Sequence, residues 1–206
     1  MSISILREVL ESTITIETKS IENLKKINID NLLELVELIW KCEGNIFITG
    51  VGTSGAAAKK IAHTLSCIEI PAFYLSPQDC LHGRAGVLKK DDIVIVLSKG
   101  GKTEEMEKLL PIIIEKHIKM VCISENENSK LAKKSHIFIK IDVEKEADPF
   151  NMLATSSTLM YISLFDIITI TIMKLKNFSK EQFLLIHPGG AVGKKLLDEV
   201  KIKQKN

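Results

Sequence analysis

Ile46-Phe47-Ile48-Thr49-Gly50-Val51-Gly52-Thr53-Ser54-Gly55 is the stretch on which the fold turns. Ile46 to Thr49 is short, apolar and β-branched, the composition of a buried strand. The glycines that follow break it, and Ala56 to Ser66 resumes at helical spacing. Strand, glycine turn and helix in that order open a βαβ unit, which implies parallel strands joined by right-handed crossovers. Outward toward the C-terminus the alternation repeats. Ala72 to Leu75 is a second strand and Asp92 to Leu97 the clearest one. Thr103 to His117 is a helix with Glu104, Glu105 and Glu107 in its first turn, where the helix dipole favours them. Lys119 to Ile123 and His136 to Ile141 are two more strands, separated by a short helix from Ser129. The strands are apolar almost without interruption, so the sheet is covered on both faces.

Toward the N-terminus the first 42 residues read as helical, and Asp30 is the expected cap of a second helix that Gly44 ends. Apolar residues cover more than one face of that helix, which implies burial on two sides, with a partner subunit as one candidate cover. Past Glu146, Thr155 to Leu175 is long and rich in Ile and Thr, so only tertiary burial would hold it helical. Ser179 to Ile186 is a short capped helix stopped by His187-Pro188-Gly189-Gly190. Lys201 to Asn206 reads as a frayed end. The whole is expected to be one domain over 1–206, with helices over 1–43 and an α/β core with C-terminal helices over 44–200.

Composition narrows the function classes. A chain of 206 residues holds one domain or at most two. Its 45% hydrophobic and 26% charged residues exclude a disordered or collagen-like protein. Lys+Arg 28 against Asp+Glu 26 leaves a net charge of +2, no general attraction to nucleic acid or an anionic membrane. Aromatics at 5% argue against base-stacking platforms. Cys42, Cys67 and Cys122 sit in apolar stretches and read as buried free thiols; there is no Cys-x-x-Cys pair. With charges at Arg7, Glu8 and Glu11, the start of the sequence does not read as a signal peptide. Leu159 to Met173 reads as too short, and with Asp166 too polar, to span a bilayer of roughly 30 Å. The expected location is the cytoplasm.

In an open parallel sheet, ligands bind beyond the carboxyl ends of the strands. Two loops qualify. Gly50 to Gly55 fits G-x-G-x-x-G, where backbone can approach a phosphate at a helix N-terminus. A dinucleotide site also wants an acidic residue about 20 positions on, and the second strand ends instead in Leu75-Ser76-Pro77. A dinucleotide, a phosphorylated small molecule and a turn needed only for packing all stay open. Ser98-Lys99-Gly100-Gly101-Lys102-Thr103 is the second loop, rich in hydroxyls and opening a helix, with two lysines. Two such loops at neighbouring strand ends favour one phosphate clamped between them. His63, His117 and His136 lie inside structural elements and read as structural. No His-x-x-His or similar spacing points to a metal.

These strings resemble a known family, the sugar isomerase (SIS) domain, of the arabinose-5-phosphate isomerase type. The resemblance runs from about Asn45 to Leu197. It is carried by Gly52 to Gly55, Ser76-Pro77 through His82-Gly83, Ser98 to Glu105, Lys145-Glu146-Ala147, Ala154-Thr155-Ser156-Ser157 and His187-Pro188-Gly189-Gly190. It implies a three-layer αβα sandwich on a five-stranded parallel, flavodoxin-like sheet. It also implies a homo-oligomer, usually a tetramer, that interconverts a phosphorylated aldose and ketose. By resemblance the acid–base carboxylates fall on Glu105 and Glu146, and the functional histidines on His82 and His187. By the same resemblance, phosphate-binding hydroxyls fall on Ser54, Ser98, Thr103 and Ser156; Gly52, Thr53, Lys99 and Lys102, as residues of the two loops, complete the substrate-binding candidates. The chemistry moves a proton between adjacent carbons through an enediol(ate), needing an acid and a base but no redox cofactor.

The departures are as informative. Thr53 stands where the family type carries a lysine. The second loop loses one hydroxyl and gains Lys99 and Lys102. Arg84 stands for an expected Asp and Asp148 for a Cys. The chain ends shortly after the Gly-Gly motif, without paired CBS modules. Three readings follow: Lys99 or Lys102 replaces the missing charge, the substrate differs, or sugar-phosphate binding remains without catalysis.

Overall fold

Five short strands pair in parallel in the order β2-β1-β3-β4-β5, with β1 at Ile46–Thr49, β2 at Ala72–Tyr74, β3 at Ile93–Leu97, β4 at Lys119–Ser124 and β5 at Ile137–Lys140. This is a computed structural model, and it describes residues 2–203. Alternate residues of each strand face opposite ways, and the two faces feed two separate cores. Ile46, Ile48, Ile93, Ile95, Val121, Ile123, Ile137 and Ile139 build one. Phe47, Val94, Val96, Met120 and Cys122 build the other. That two-sided burial is why the strands read as continuous apolar runs.

The first core is closed by α2 (Ile29–Trp40), α3 (Thr53–Ser66) and α7 (Ser156–Leu175), with α1 (Ile3–Glu22) packed on α7. The second is closed by α4 (Pro77–Cys80), α5 (Glu104–Glu115) and α6 (Lys130–Lys134). The result is the expected three-layer sandwich. Two helices, α8 (Lys180–Ile186) and α9 (Gly190–Lys203), follow and pack chiefly on each other. The predicted strand and helix positions hold to within a few residues.

The differences have local causes. Asn28, not Asp30, caps α2: its side chain accepts from the amides of Asp30 and Asn31. The helix ends at Lys41, before Gly44, whose hydrogen faces the Asp91 backbone; a Cβ there would meet Asp91 O at 2.5 Å. Ser76 caps α4, a one-turn helix within what reads as loop sequence, by accepting from Asp79 N at 3.2 Å. Cys80 and Cys122 are buried, whereas Cys42 and Cys67 are only half-buried. α7 is 20 residues long and, by length and composition alone, could cross a membrane. Here Tyr161, Phe165, Ile168 and Ile172 bury it in the first core, which offsets its poor intrinsic helix propensity. Lys201 to Lys203 continue α9, and Gln204 to Asn206 lie outside the described residues.

Candidate active site

The strand order reverses between β1 and β3, so the crevice at their carboxyl ends is the topological switch point where ligands bind in such sheets. Both glycine loops open onto it. In the β1–α3 loop, Gly50 and Gly55 are packing glycines. A Cβ on Gly50 would meet the Ser54 backbone at 2.6 Å, and one on Gly55 would meet Gly50 O at 2.8 Å. Gly52 instead has φ 60° with open space around it, a conformation L side chains resist. Thr53 is exposed at the first turn of α3 and Ser54 is half-buried beside it. The lysines that follow in α3 are engaged elsewhere: Lys59 lies 5.0 Å from the centre of the Tyr74 ring and Lys60 pairs with Asp166.

The β3–α5 loop is built differently. Ser98 Oγ and Thr103 Oγ1 share a hydrogen bond of 2.8 Å across its base. The end of β4 pins the loop from beside it: Lys99 O accepts from Glu125 N at 2.9 Å and from Ser124 Oγ at 2.8 Å. Asn126 Nδ2 donates to Gly100 O. Gly101, at φ 66°, leaves room for Ser129, which a Cβ would strike at 2.4 Å. Lys102 is exposed. Lys99 turns inward, its Nζ 2.9 Å from Glu146 Oε1.

Glu146 lies beside this loop as a buried acid. It is 2% exposed, yet it carries a carboxylate. Its Oε2 accepts from Thr155 N at 2.9 Å and Ser157 N at 3.2 Å, the free amides at the start of α7. The carboxylate thus occupies the electropositive end of a 20-residue helix whose own cap residue, Thr155, supplies no side-chain cap. Thr155 Oγ1 is used instead to accept from Ala147 N at 3.1 Å. Burial works to raise the pKa of Glu146, but Ser157, Lys99 and Thr155 together outweigh it and hold the carboxyl below the usual glutamate range. Lys99 meets Oε1 at ion-pair distance without hydrogen-bond alignment, so the hydrogen-bonding capacity of Oε1 is unfilled. Asn151 accepts from Glu146 N at 2.7 Å and Asp148 takes three amides of the same loop, from Phe150, Met152 and Leu153.

The N-terminal helix reaches this segment. Ser156 Oγ donates to Glu17 Oε2 at 3.0 Å. Lys19 pairs with Glu144 at 2.6 Å. Just past α1, Asn23 donates to Asp142 O at 2.9 Å and Lys26 pairs with the Asp142 carboxylate. Ser156 is fully buried, so its hydroxyl ties α7 to α1 rather than facing the crevice. Thr155-Ser156-Ser157 therefore cradles Glu146, where the sequence suggested a phosphate hydroxyl.

The other acid–base candidates stand apart from this cluster. Glu105, in the first turn of α5, accepts from Gln78 Nε2 at 3.5 Å. His82 is exposed, between α4 and Gly83. His187 ends α8, stacked on Phe183 with centroids 4.1 Å apart and Nδ1 buried without a partner. Among the described residues no hydrogen bond or ion pair joins His82, His187 or Glu105 to Glu146. Sequence reasoning missed Glu17, Gln78, Glu125 and Tyr161. Only Glu125 carried a signal, a carboxylate directly after a predicted strand. A groove of about 750 Å³ lies at the opposite, amino-terminal end of the sheet, lined by Lys41, Asp91, Lys119 and His136 among others. It contains none of the anion-ready loops or the buried carboxylate.

Residues 38–177 match the SIS domain model. The chain is 35% identical over 190 residues to an arabinose 5-phosphate isomerase, KdsD, of Pseudomonas aeruginosa, covering 92% of this chain and 58% of that one. It thus spans little more than half the length of such curated relatives. A crystal structure from Listeria monocytogenes, proposed to be a sugar-phosphate isomerase, superposes with a TM-score of 0.89 at 43% identity, covering 92% of this chain and all of that one. An Escherichia coli CFT073 protein in complex with arabinose 5-phosphate superposes at 0.87 with 26% identity, covering 91% and 100%.

Proposed function

The chain belongs to the SIS domain family, and from that premise we propose that it is a sugar-phosphate aldose–ketose isomerase, acting on a pentose phosphate such as arabinose 5-phosphate. The observation that carries this reading is the buried Glu146 carboxylate, ion-paired with Lys99 of the anion-ready β3–α5 loop and held by the start of α7. The β3–α5 loop holds the phosphate through Ser98, Thr103 and its lysines, with Thr53 and Ser54 opposite. Glu146 takes the proton from the carbon beside the carbonyl and the enediol(ate) is reprotonated on the neighbouring carbon. Glu105 manages the oxygens. His82 and His187 serve ring opening, for which an imidazole near neutrality is suited.

Neither histidine is bonded to Glu146 within one chain, and this supports an oligomer in which neighbours complete the site. An apolar stripe on α1 (Ile3, Leu6, Val9, Leu10 and Ile14) is exposed and α8 and α9 pack chiefly on each other, both suited to burial between subunits. We read the working form as a homotetramer in the cytoplasm. Conversion of arabinose 5-phosphate to ribulose 5-phosphate, with Glu146→Gln as control, is the direct test. No turnover with any pentose or hexose phosphate overturns the reading.

A second reading is a sugar-phosphate sensor without catalysis, favoured by the absence of a cation in the β1–α3 loop. It expects sugar phosphates to raise the Tm by mass action without being converted.

A further inference from the structure

We propose that Lys99 is a latch: it holds the Glu146 carboxylate before sugar binds and is drawn off it by the phosphate of an arriving sugar. The inference rests on the isomerase reading and adds a positioning residue to it.

A general base works best with a pKa near the operating pH. Glu146 paired with Lys99 is far from that. It is stabilised as an anion by the start of α7 and by an ammonium at 2.9 Å. Among the groups that hold it, the α7 amides are fixed backbone. The Ser157 side chain, which also holds the carboxylate, is buried at 1% exposure. Lys99 is the group placed to leave, because its side chain is 28% exposed while that of Glu146 is 2% exposed. It also belongs to the β3–α5 loop, next to the paired hydroxyls of Ser98 and Thr103. A phosphate dianion seated there competes for the same ammonium, and charge-assisted pairing to phosphate is strong.

The other ionisable neighbours push the same way. Glu125, at the end of β4, has its pKa raised by burial, with Lys99 pulling it down and Glu146 and Asp142 adding to the rise. Tyr161, from α7, is buried with an unpartnered hydroxyl, and burial together with Cys122, Glu125 and Glu146 pushes its ionisation far up. It therefore stays neutral. One ammonium thus serves two buried or half-buried carboxylates, and its departure raises the proton affinity of Glu146. Glu146 becomes a stronger base when the substrate is in place. Thr53 leaves the facing loop without a charge to spare, so this hand-over falls to Lys99.

The test uses Lys99→Met and Lys99→Arg in the full chain, and reads two observables. The first is a carbon-13 titration of the Glu146 carboxyl without sugar, with and without inorganic phosphate. Expected is a Glu146 pKa at least one pH unit higher in Lys99→Met than in wild type, with Lys99→Arg close to wild type. Phosphate should raise it in wild type by more than twice the rise in Lys99→Met. An unchanged titration in Lys99→Met overturns the latch.

The second observable is the acid limb of the pH–rate profiles. The kcat/KM profile reports the free enzyme and the kcat profile the complex. A latch moves the first limb upward in Lys99→Met and leaves the second in place. Equal movement of both limbs means a fixed ion pair, and movement of neither with a raised KM means a phosphate ligand only; each overturns the latch. A wild type without turnover overturns the isomerase reading instead, and the carboxyl titration then decides the latch alone.

Discussion

The β1–α3 and β3–α5 loops look alike as sequence: each follows a buried strand, carries glycine and hydroxyl residues and opens a helix. Their folded roles differ. The first is shaped by steric need, since two of its glycines have backbone where a Cβ would go and the third needs positive φ. The second shares a steric constraint at Gly101, but it adds charge and hydrogen bonding, with a lysine turned onto a buried carboxylate and hydroxyls paired at its base. A glycine-rich turn at a helix start is thus not one kind of site. The backbone amides are common to both, and the side chains set the two apart.

The contrast can be broken by substitution. The largest effect is expected at Glu146. Glu146→Gln keeps an acceptor for the α7 amides but removes the base, and should cost about 10²–10⁴-fold in kcat with the Tm nearly kept. A comparable loss of fold, seen by circular dichroism, would show that the carboxylate is structural.

Next come the glycines. Gly50→Ala forces a Cβ against the Ser54 backbone and should destabilise by about 1–3 kcal/mol. Gly100→Ala, with nothing within 4 Å, should stay within about 0.5 kcal/mol. Urea titrations compare the two; equal losses would erase the distinction between the loops.

A charge can also be moved between them. Thr53→Lys added to Lys99→Met should recover about tenfold in kcat/KM, since a charge-assisted hydrogen bond is worth roughly 1.5–3 kcal/mol. No recovery would place the phosphate away from the β1–α3 loop.

The smallest effect belongs to Asp148. Burial raises its pKa, but the amides of Phe150, Leu153 and Met152 together outweigh this and lower it. A lowered folded-state value gives stability that is present above the unfolded aspartate value of about 3.9 and lost as pH falls through the folded one. The Tm of the wild type should therefore fall more steeply than that of Asp148→Asn below about pH 4.

The layers of the fold were legible because strand burial and helix periodicity are local signals. Ile93 to Leu97 can only be a strand buried on both faces, and α5 announces itself by its acidic first turn. The loops were legible as places but not as roles. Ser156 and Ser98 are the same residue type in similar surroundings, yet one faces α1 and the other Thr103. That choice depends on Glu17, 139 positions away from Ser156, which no local pattern exposes. The pairing of Lys99 with Glu146 is hidden for the same reason: two loops meet only once the sheet order is known.

The ties from α1 to the Glu146 segment have a mechanical meaning. Glu17, Lys19, Asn23 and Lys26 grip Ser156, Glu144 and Asp142, on both sides of the carboxylate. At 1.5 Å per residue α1 is about 30 Å long, a strut with its anchored end at the chemistry and its apolar stripe open at the far end. In the oligomer proposed above, a subunit seated on that stripe would pack on the same rigid element that grips the Glu146 segment.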